Sequence, residues 1–188
     1  MKQLLPLVLA ALPACTAVPA APVERIIPAE PPPERIEWGF DKEATEYALL
    51  TSARAEFGET AVLRALAAPT YLITKHYPGM RPPPPPDAGP NWRYPEPPTA
   101  MLIRESGGWL AATATGFRAA RAEAVARIEA ILADRAFWAE PEWAQPGCTD
   151  SGASLLMLKV PGRAEIIRRP SCGETGRGEK LVFAALAA

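Results

Sequence analysis

The 188-residue sequence is poor in the residues that build metal centres, having one histidine and three cysteines. These are too few for a zinc finger or a three-histidine site. The formal net charge is −1, so electrostatics give no reason to bind nucleic acid. Large apolar residues are also scarce, because 36 residues of the hydrophobic fraction are alanines. The sequence therefore predicts no metal, no cofactor and no nucleic-acid partner, and a single domain with a modest core.

The sequence also lacks a long apolar run, although its N-terminus carries a short one. Lys2 precedes an apolar segment of about nine residues from Leu4 to Leu12, whereas a membrane span needs about 20. A basic residue followed by such a run is typical of a secretory signal. The run ends in Leu12-Pro13-Ala14-Cys15, which resembles the lipobox of bacterial lipoprotein signal peptides, although Pro13 replaces the usual small residue.

This resemblance implies that Cys15 is lipidated, becomes the new N-terminus and anchors the chain to a membrane through its acyl groups. Thr16 is not the aspartate associated with inner-membrane retention in that family. The implied location is therefore the periplasmic side of the outer membrane. Cleavage after Ala17 or Ala20 is the alternative, giving a soluble secreted or periplasmic protein; a cytosolic protein with an apolar N-terminal strand is a second.

The three cysteines fit an exported protein once one of them is lipidated. Cys148 and Cys172 would then remain as a pair, and an oxidising periplasm favours joining them. The disulfide would close a loop of about 25 residues. By the chain-entropy relation, such a bond stabilises the folded state by about 3.5 kcal/mol. The sequence contains no Cys-x-x-Cys motif, which would indicate redox chemistry. The alternative to a disulfide is that Cys148 and Cys172 are two free thiols.

Proline is abundant, with 23 residues concentrated in two segments. Residues 16–35 show no helical or strand period, so we expect a tether of polyproline II character that reaches about 60 Å when extended. A disordered tail without a selected length is the alternative. Residues 78–98 include five consecutive prolines and cannot form a helix or a sheet ladder. We expect a surface loop there, with a peptide ligand for an aromatic groove as the alternative.

The division of the chain follows from these segments: a signal peptide with a lipobox at 1–15, a tether at 16–35 and one domain at 36–188. In that domain, the residues from Asp41 to Phe57 predict a helix capped by Asp41, although alternating residues also suit a strand. Residues 60–68 remain undecided between helix and strand. Residues 70–77 are β-branched and aromatic and predict a strand.

The second half of the domain carries clearer signals. Runs on either side of Ser106-Gly107-Gly108 predict a hairpin, and a second hairpin turns at Pro161-Gly162-Arg163. Between them, residues 117–133 predict a helix with an apolar face for the core. Residues 179–186 predict a terminal helix. The order ββ-α-ββ-α indicates an α+β fold, with helices packed on a small antiparallel sheet.

Residues 137–178 resemble those of short uncharacterised exported proteins of alphaproteobacteria. The resemblance rests on Phe137-Trp138-Ala139-Glu140, on Cys148-Thr149-Asp150-x-Gly152, and on the two strands around Gly162-Arg163 that end at Cys172. It implies no known activity and supplies no catalytic residues.

Three patterns suggest catalysis, and none forms a coherent set. Ser151 lies in an Asp-Ser-Gly step, as in trypsin-like proteases, but a triad needs a base, and His76 is the only histidine. Because His76 has no catalytic partner in the sequence pattern, we expect it to be a structural or surface residue. Paired carboxylates could serve a glycosidase, either Glu56 with Glu59 or Glu140 with Glu142, but nothing singles out one pair. We predict no catalytic residue.

The last quarter of the chain is locally basic. These residues could meet anionic lipid head groups or peptidoglycan carboxylates, whereas a solvated sheet edge explains them more simply. They are Arg163, Arg168, Arg169, Arg177 and Lys180.

Three hypotheses for function remain. The first is a cell-envelope lipoprotein that binds or scaffolds an envelope protein without catalysis. The second is a small envelope hydrolase that uses carboxylates. The third is an inhibitor of a secreted hydrolase, with residues 78–98 as the inhibitory loop. The oligomeric state is left open.

Overall fold

The computed structural model describes residues 41–79, 83–140, 152–171 and 176–188. In these residues a six-stranded antiparallel sheet carries helices on both faces, which confirms the α+β class. The elements are α1 (Lys42–Phe57), α2 (Glu59–Ala67), β1 (Thr70–Tyr77), β2 (Thr99–Glu105), β3 (Gly108–Thr113), β4 (Gly116–Ala119), α3 (Ala122–Ala133), α4 (Arg135–Ala139), β5 (Gly152–Val160), β6 (Arg163–Ser171) and α5 (Arg177–Leu186).

The sheet has the order β4-β3-β2-β1-β5-β6, with β1 and β2 at its centre. Every neighbouring pair is antiparallel. The central strands are buried on both faces, so they read as nearly continuous apolar runs. In β1, Tyr71, Ile73 and Lys75 face α1 and α2, whereas Leu72 and His76 face α5.

Two apolar clusters, one on each face, form the core. The cluster under α1 and α2 is built around Leu49, Val62, Ile73, Met101, Ile103 and Met157. The cluster under α3, α4 and α5 is built around Leu72, Leu102, Ile128, Phe137, Leu156 and Leu181. Many remaining members of both clusters are alanines.

The start of the domain follows its local signals. Asp41 caps α1, because its Oδ1 atom accepts a hydrogen bond from the amide of Ala44 at 3.0 Å. Gly58, with φ at 84°, ends α1 and leads directly into α2. The predicted first helix and the strand over residues 70–77 are confirmed, and the undecided segment 60–68 is helical apart from its last residue.

One predicted helix was too long. The helix expected over residues 117–133 begins only at Ala122, because Gly116–Ala119 forms β4. Gly116 has φ at 139°, a backbone geometry suited to glycine, and turns the chain back along β3. Phe117 therefore leaves the expected helical stripe and packs with the α1 and α2 cluster, where the Arg64 guanidinium lies 4.7 Å from its ring. The second half thus has one more strand than predicted.

Both predicted hairpins and the terminal helix are confirmed as β2–β3, β5–β6 and α5. The carbonyl of Ala188 accepts a hydrogen bond from the amide of Arg121 at 3.3 Å, which ties the C-terminus to the start of α3. Cys15, Cys148 and Cys172 lie outside the described residues, as do Ser151 and Glu142. Among the residues the structure describes, no helix combines the length and apolar character that crossing a membrane requires.

Candidate functional site

Three arginines and a tryptophan meet at one end of the sheet. The strand register brings together Thr70 with Arg104 and Val160 with Arg163 at this end. Helices α3 and α4 close the other side of an open groove with a volume of about 570 Å³. We call it the Arg–Trp groove. It is lined by Thr70, Arg104, Glu129, Leu132, Ala133, Arg135, Trp138, Val160, Pro161 and Arg163.

Trp138 is held firmly in the wall of the groove. Its Nε1 atom donates a hydrogen bond to the carbonyl of Leu132 at 2.8 Å. Its ring meets Phe137 edge-on with centroids 4.8 Å apart, and Phe137 is buried in the core. The short helix α4 that carries both rings is capped by Asp134, whose Oδ1 accepts from the amide of Ala136 at 2.9 Å. The indole is therefore a fixed surface on which a ligand can rest.

The three arginines differ in what they already bind. The Arg163 guanidinium stacks on Trp138 at 4.5 Å and donates to the Glu165 carboxylate at 2.7 Å. Arg104 lies 3.3 Å from the Glu129 carboxylate. Arg135 is exposed and forms no hydrogen bond or ion pair with any residue that the structure describes. Its planar fork is thus available to a carboxylate or phosphate from outside.

Glu129 is the one acidic residue lining the groove, and it has two donors. Besides Arg104, it accepts a hydrogen bond from Nε1 of Trp109 at 2.6 Å. The lining therefore holds three cations against one anion. Its remaining walls are apolar, from Leu132, Val160 and Pro161. This arrangement suits an anionic group carried on a partly apolar ligand.

A second cleft surrounds Lys75 on the opposite face of the sheet, with a volume of about 620 Å³. We call it the Lys75 cleft. Helix α1 and the residues just before β2 form its walls. It is lined by Thr51, Ser52, Ala55, Glu56, Lys75, Glu96, Pro97, Pro98 and Thr99.

The ammonium group of Lys75 is the buried charge in this cleft. Only 4% of its side chain is exposed, and Nζ lies 3.0 Å from Oγ of Ser52 and 2.9 Å from Oε2 of Glu96. Burial acts to lower the pKa of Lys75, but the hydrogen bond and charge of Glu96, together with Tyr77, raise it above the ordinary value. Lys75 therefore stays protonated at neutral pH, and as long as Glu96 is bound it cannot serve Ser52 as a general base.

A second bond fixes the end of the proline-rich segment beside this cleft. Oε2 of Glu56 accepts a hydrogen bond from the amide of Thr99 at 2.9 Å. Glu56 thus connects Thr99, the first residue of β2, to α1. Glu96 connects the residues just before Thr99 to β1 through Lys75. These two contacts hold the end of the loop on the face of the sheet that carries α1.

His76 is half-buried on the other face of β1. Its Nδ1 atom lies 3.0 Å from Oγ of Ser154, and its ring centroid lies 4.8 Å from that of Phe183. Ser154 is only 1% exposed, so a substrate cannot reach its hydroxyl. This serine–histidine contact joins β1 to β5 and supports the structural interpretation of the single histidine.

The suspected carboxylate pair Glu56 and Glu59 does not form a site. Glu56 binds the amide of Thr99, whereas Glu59 is paired with Arg54. Glu140 is bound by Arg169 and Arg177. Among the described residues, no group of histidine, cysteine, aspartate and glutamate side chains is arranged to hold a metal ion.

Glu140 belongs to a charged cluster that fastens α5 to the rest of the domain. Its carboxylate accepts from the amides of Arg177 at 3.2 Å and Gly178 at 3.4 Å, and lies 3.5 Å from Nε of the buried Arg169. Nε of Arg177 donates to Asp134 at 2.5 Å. The bond from the Ala136 amide and this contact lower the pKa of Asp134, and the same contact raises that of Arg177.

The basic residues of the last quarter are therefore not one patch. Arg163 lines the Arg–Trp groove, Arg169 and Arg177 lie in the Glu140 cluster, and Arg168 and Lys180 are exposed. Sequence reasoning singled out neither Lys75 nor Arg135. The signal for Lys75 was its place in β1, where it continues the inward alternation of Tyr71 and Ile73.

Neither a protein-family model nor a curated protein nor a solved structure matches this chain.

Proposed function

We propose that this chain is a cell-envelope lipoprotein, anchored through Cys15 on the periplasmic side of the outer membrane, whose folded domain is a non-catalytic binding module. The observation that carries the binding role is the Arg–Trp groove. The ligand we propose is an acidic segment of another envelope protein. A carboxylate of this segment would bind the Arg135 guanidinium group, while apolar atoms of the segment pack against Trp138 and Leu132.

The contacts already present in the groove favour carboxylates as ligands. Arg104 and Arg163 each bind a glutamate of the domain itself, so the guanidinium groups at this end of the sheet are positioned for carboxylate oxygens. The apolar side chains beside them suit a peptide better than a free ion. An open groove of this size accommodates a few residues of an extended chain.

The binding role is tested with a defined acidic probe. The full chain, held in detergent, is titrated with an acetylated and amidated tetraglutamate peptide while Trp fluorescence is recorded. We expect Arg135→Gln to weaken binding by about tenfold, the value of one charge-assisted hydrogen bond. Arg168→Gln is the matched control, because Arg168 is an exposed arginine outside the groove.

Two results would contradict the proposed ligand. One is an equal loss of peptide binding in the Arg135 and Arg168 variants. The other is binding to phosphatidylglycerol vesicles that is stronger than peptide binding and is lost with Arg135→Gln. The second result would assign the groove to a lipid phosphate instead of a carboxylate.

The anchor and the disulfide are tested together by the intact mass of the membrane-extracted chain, measured with and without reduction. We expect a mass that includes acyl groups on Cys15 and that rises by two hydrogens on reduction, as the Cys148–Cys172 bond opens. An unmodified mass that includes residues 1–14, with three free thiols, would contradict both.

An inhibitor of a secreted hydrolase is the second candidate, and one observation favours it. In the loop between β1 and β2, Trp92 and Tyr94 meet edge-on at 4.5 Å, and Glu96 is bound to Lys75. These contacts give the described part of the loop a defined shape. Inhibition of a secreted serine, cysteine or metallo-hydrolase by the full chain, lost with Trp92→Ala, would favour this role over the binding module.

A further inference from the structure

In the Lys75 cleft, a short proline-containing segment of the wall is bound to the buried lysine through its glutamate. The cation belongs to the buried wall of the cleft, since Lys75 is in β1 and 4% of its side chain is exposed. The carboxylate comes from Glu96, whose side chain is 79% exposed and sits on the segment that crosses the surface. Pro97 and Pro98, which follow Glu96, line the same cleft. A Glu-Pro-Pro triplet therefore forms one wall of the cleft, with its carboxylate bound to the buried ammonium group.

The chemistry of such a triplet suits a preformed site. A residue before proline is restricted to extended backbone, and consecutive prolines favour polyproline II. Binding such a segment therefore costs little conformational entropy. One buried ammonium supplies specificity for the carboxylate, with the hydroxyl of Ser52 3.0 Å away to complete its hydrogen bonds.

The same triplet occurs a second time in the sequence, as Glu30-Pro31-Pro32. Glu30 lies eleven positions before Asp41, where the described part of the chain begins. Extended, they span up to about 36 Å. Ser52 lies eleven residues beyond Asp41, which is about 16 Å along α1. The N-terminal triplet can therefore reach the Lys75 cleft of its own domain.

We propose that the Lys75 cleft is a binding site for Glu-Pro-Pro segments, and that Glu30-Pro31-Pro32 of the same chain enters it and competes with Glu96 for the Lys75 ammonium group. Exchange of the two carboxylates has two consequences. It frees Glu96 from Lys75, while Glu56 still binds the amide of Thr99. It also shortens the tether that follows Cys15, a consequence that rests on the proposed lipid anchor, whereas the competition itself does not.

The test is zero-length crosslinking of the full chain with a water-soluble carbodiimide. The reagent activates a carboxylate, and an amine in contact with it displaces the activated group, forming an amide bond while the reagent leaves as a urea. Peptide mass spectrometry then identifies which glutamate is joined to Lys75. In the wild type we expect a dominant Lys75–Glu96 bond and a minor Lys75–Glu30 bond, both within single chains.

Removing the Glu96 carboxylate should change which glutamate is crosslinked to Lys75. Glu96→Gln should raise the yield of Lys75–Glu30 by about fivefold, the factor that corresponds to a strong exposed ion pair. Adding Glu30→Gln should abolish it. Glu34→Gln is the matched control, because Glu34 lies in the same segment but is followed by arginine instead of proline. Added to Glu96→Gln, it should leave the Lys75–Glu30 product intact.

Three results would overturn the proposal: no Lys75–Glu30 product in the Glu96→Gln variant, equal crosslinking of Glu30 and Glu34, or a Lys75–Glu30 bond found only in covalent dimers. Circular dichroism of each variant confirms that the domain remains folded, so that a missing product cannot be attributed to unfolding. Failure of the lipid anchor or of the Arg–Trp groove would leave this competition unchanged.

Discussion

The Nζ atom of Lys75 lies 2.9 Å from Oε2 of Glu96, and this ion pair joins a central strand of the sheet to the proline-rich connection between β1 and β2. Its two ends differ sharply, because the lysine is buried and the glutamate is exposed. The fold thus sets the cost of burying the ammonium group, whereas the compensating charge comes from an exposed side chain of the connection.

Replacing Lys75 with methionine should release that segment without unfolding the domain. Methionine fills a similar volume and needs no partner, so we expect the free energy of unfolding to change by less than about 1.5 kcal/mol. Hydrogen exchange of residues 87–96 should accelerate by up to about fivefold as the ion pair is lost. Lys159→Met, at a half-buried lysine of β5, is the control. Unchanged exchange in the Lys75 variant would show that Glu96 does not hold the loop.

The contribution of the same pair should disappear at alkaline pH. Because the pKa of Lys75 is raised on folding, its stabilisation is fully present below the ordinary value of 10.5 and is lost as pH rises through the folded value. The difference in unfolding free energy between wild type and Glu96→Gln should therefore be constant from pH 7 to 10 and shrink above 10.5. Urea titrations at each pH measure it. A difference that persists at high pH would contradict the ionic origin of the contact.

Much of the fold was predictable because its signals are local. Asp41, Gly58 and the glycine-containing turns mark where elements end, and the strands show themselves by β-branched and apolar content. The error at Phe117 has a physical cause. Residues 117–121 have good helical propensity, but pairing with β3 and packing against the α1 cluster outweigh a preference of a few tenths of a kcal/mol per residue.

The candidate sites were much less predictable, since each depends on the register of distant strands. Arg104 and Arg163 line one groove only because β1 and β5 lie between β2 and β6, a topology that no local pattern specifies. Lys75 and Glu96 lie 21 positions apart, with a proline-rich connection between them. A lysine at an inward-facing strand position does indicate a buried partner, but it does not identify which carboxylate fills that role.

Gly152 should be intolerant of any side chain. A Cβ atom there would collide with the carbonyl oxygen of Tyr77 and lie 2.8 Å from the amide nitrogen of Gly79, and backbone atoms cannot rotate away. We expect Gly152→Ala to destabilise the domain by about 1–3 kcal/mol. Gly107→Ala is the control, because no atom would lie within 4 Å of a Cβ atom there. Thermal unfolding compares the two, and equal losses would contradict the close approach.

The contact between Asp134 and Arg177 should make the attachment of α5 sensitive to acid. The hydrogen bond from the Ala136 amide and then the contact with Arg177 lower the pKa of Asp134 on folding, so its stabilisation is present above the ordinary value of 3.8 and is lost as pH falls through the lower folded value. Wild type should therefore be more stable than Asp134→Asn at pH 7, and the difference should vanish in strong acid. Denaturation curves recorded from pH 7 to 2 measure it. A difference that is independent of pH would contradict an ionic origin for the stabilisation.

Glu140 should contribute more to the stability of the domain than its partly exposed position suggests. Its carboxylate receives the first amides of α5 and faces the buried guanidinium of Arg169, so one side chain both caps a helix and balances an internal charge. We expect Glu140→Gln to cost about 1–3 kcal/mol, the range for hydrogen bonds to charged groups, with faster hydrogen exchange across residues 177–186. Glu123→Gln, at an exposed glutamate in the first turn of α3, should cost less than about 0.5 kcal/mol. Similar losses in both variants would mean that the Glu140 cluster adds nothing beyond a surface charge near a helix end.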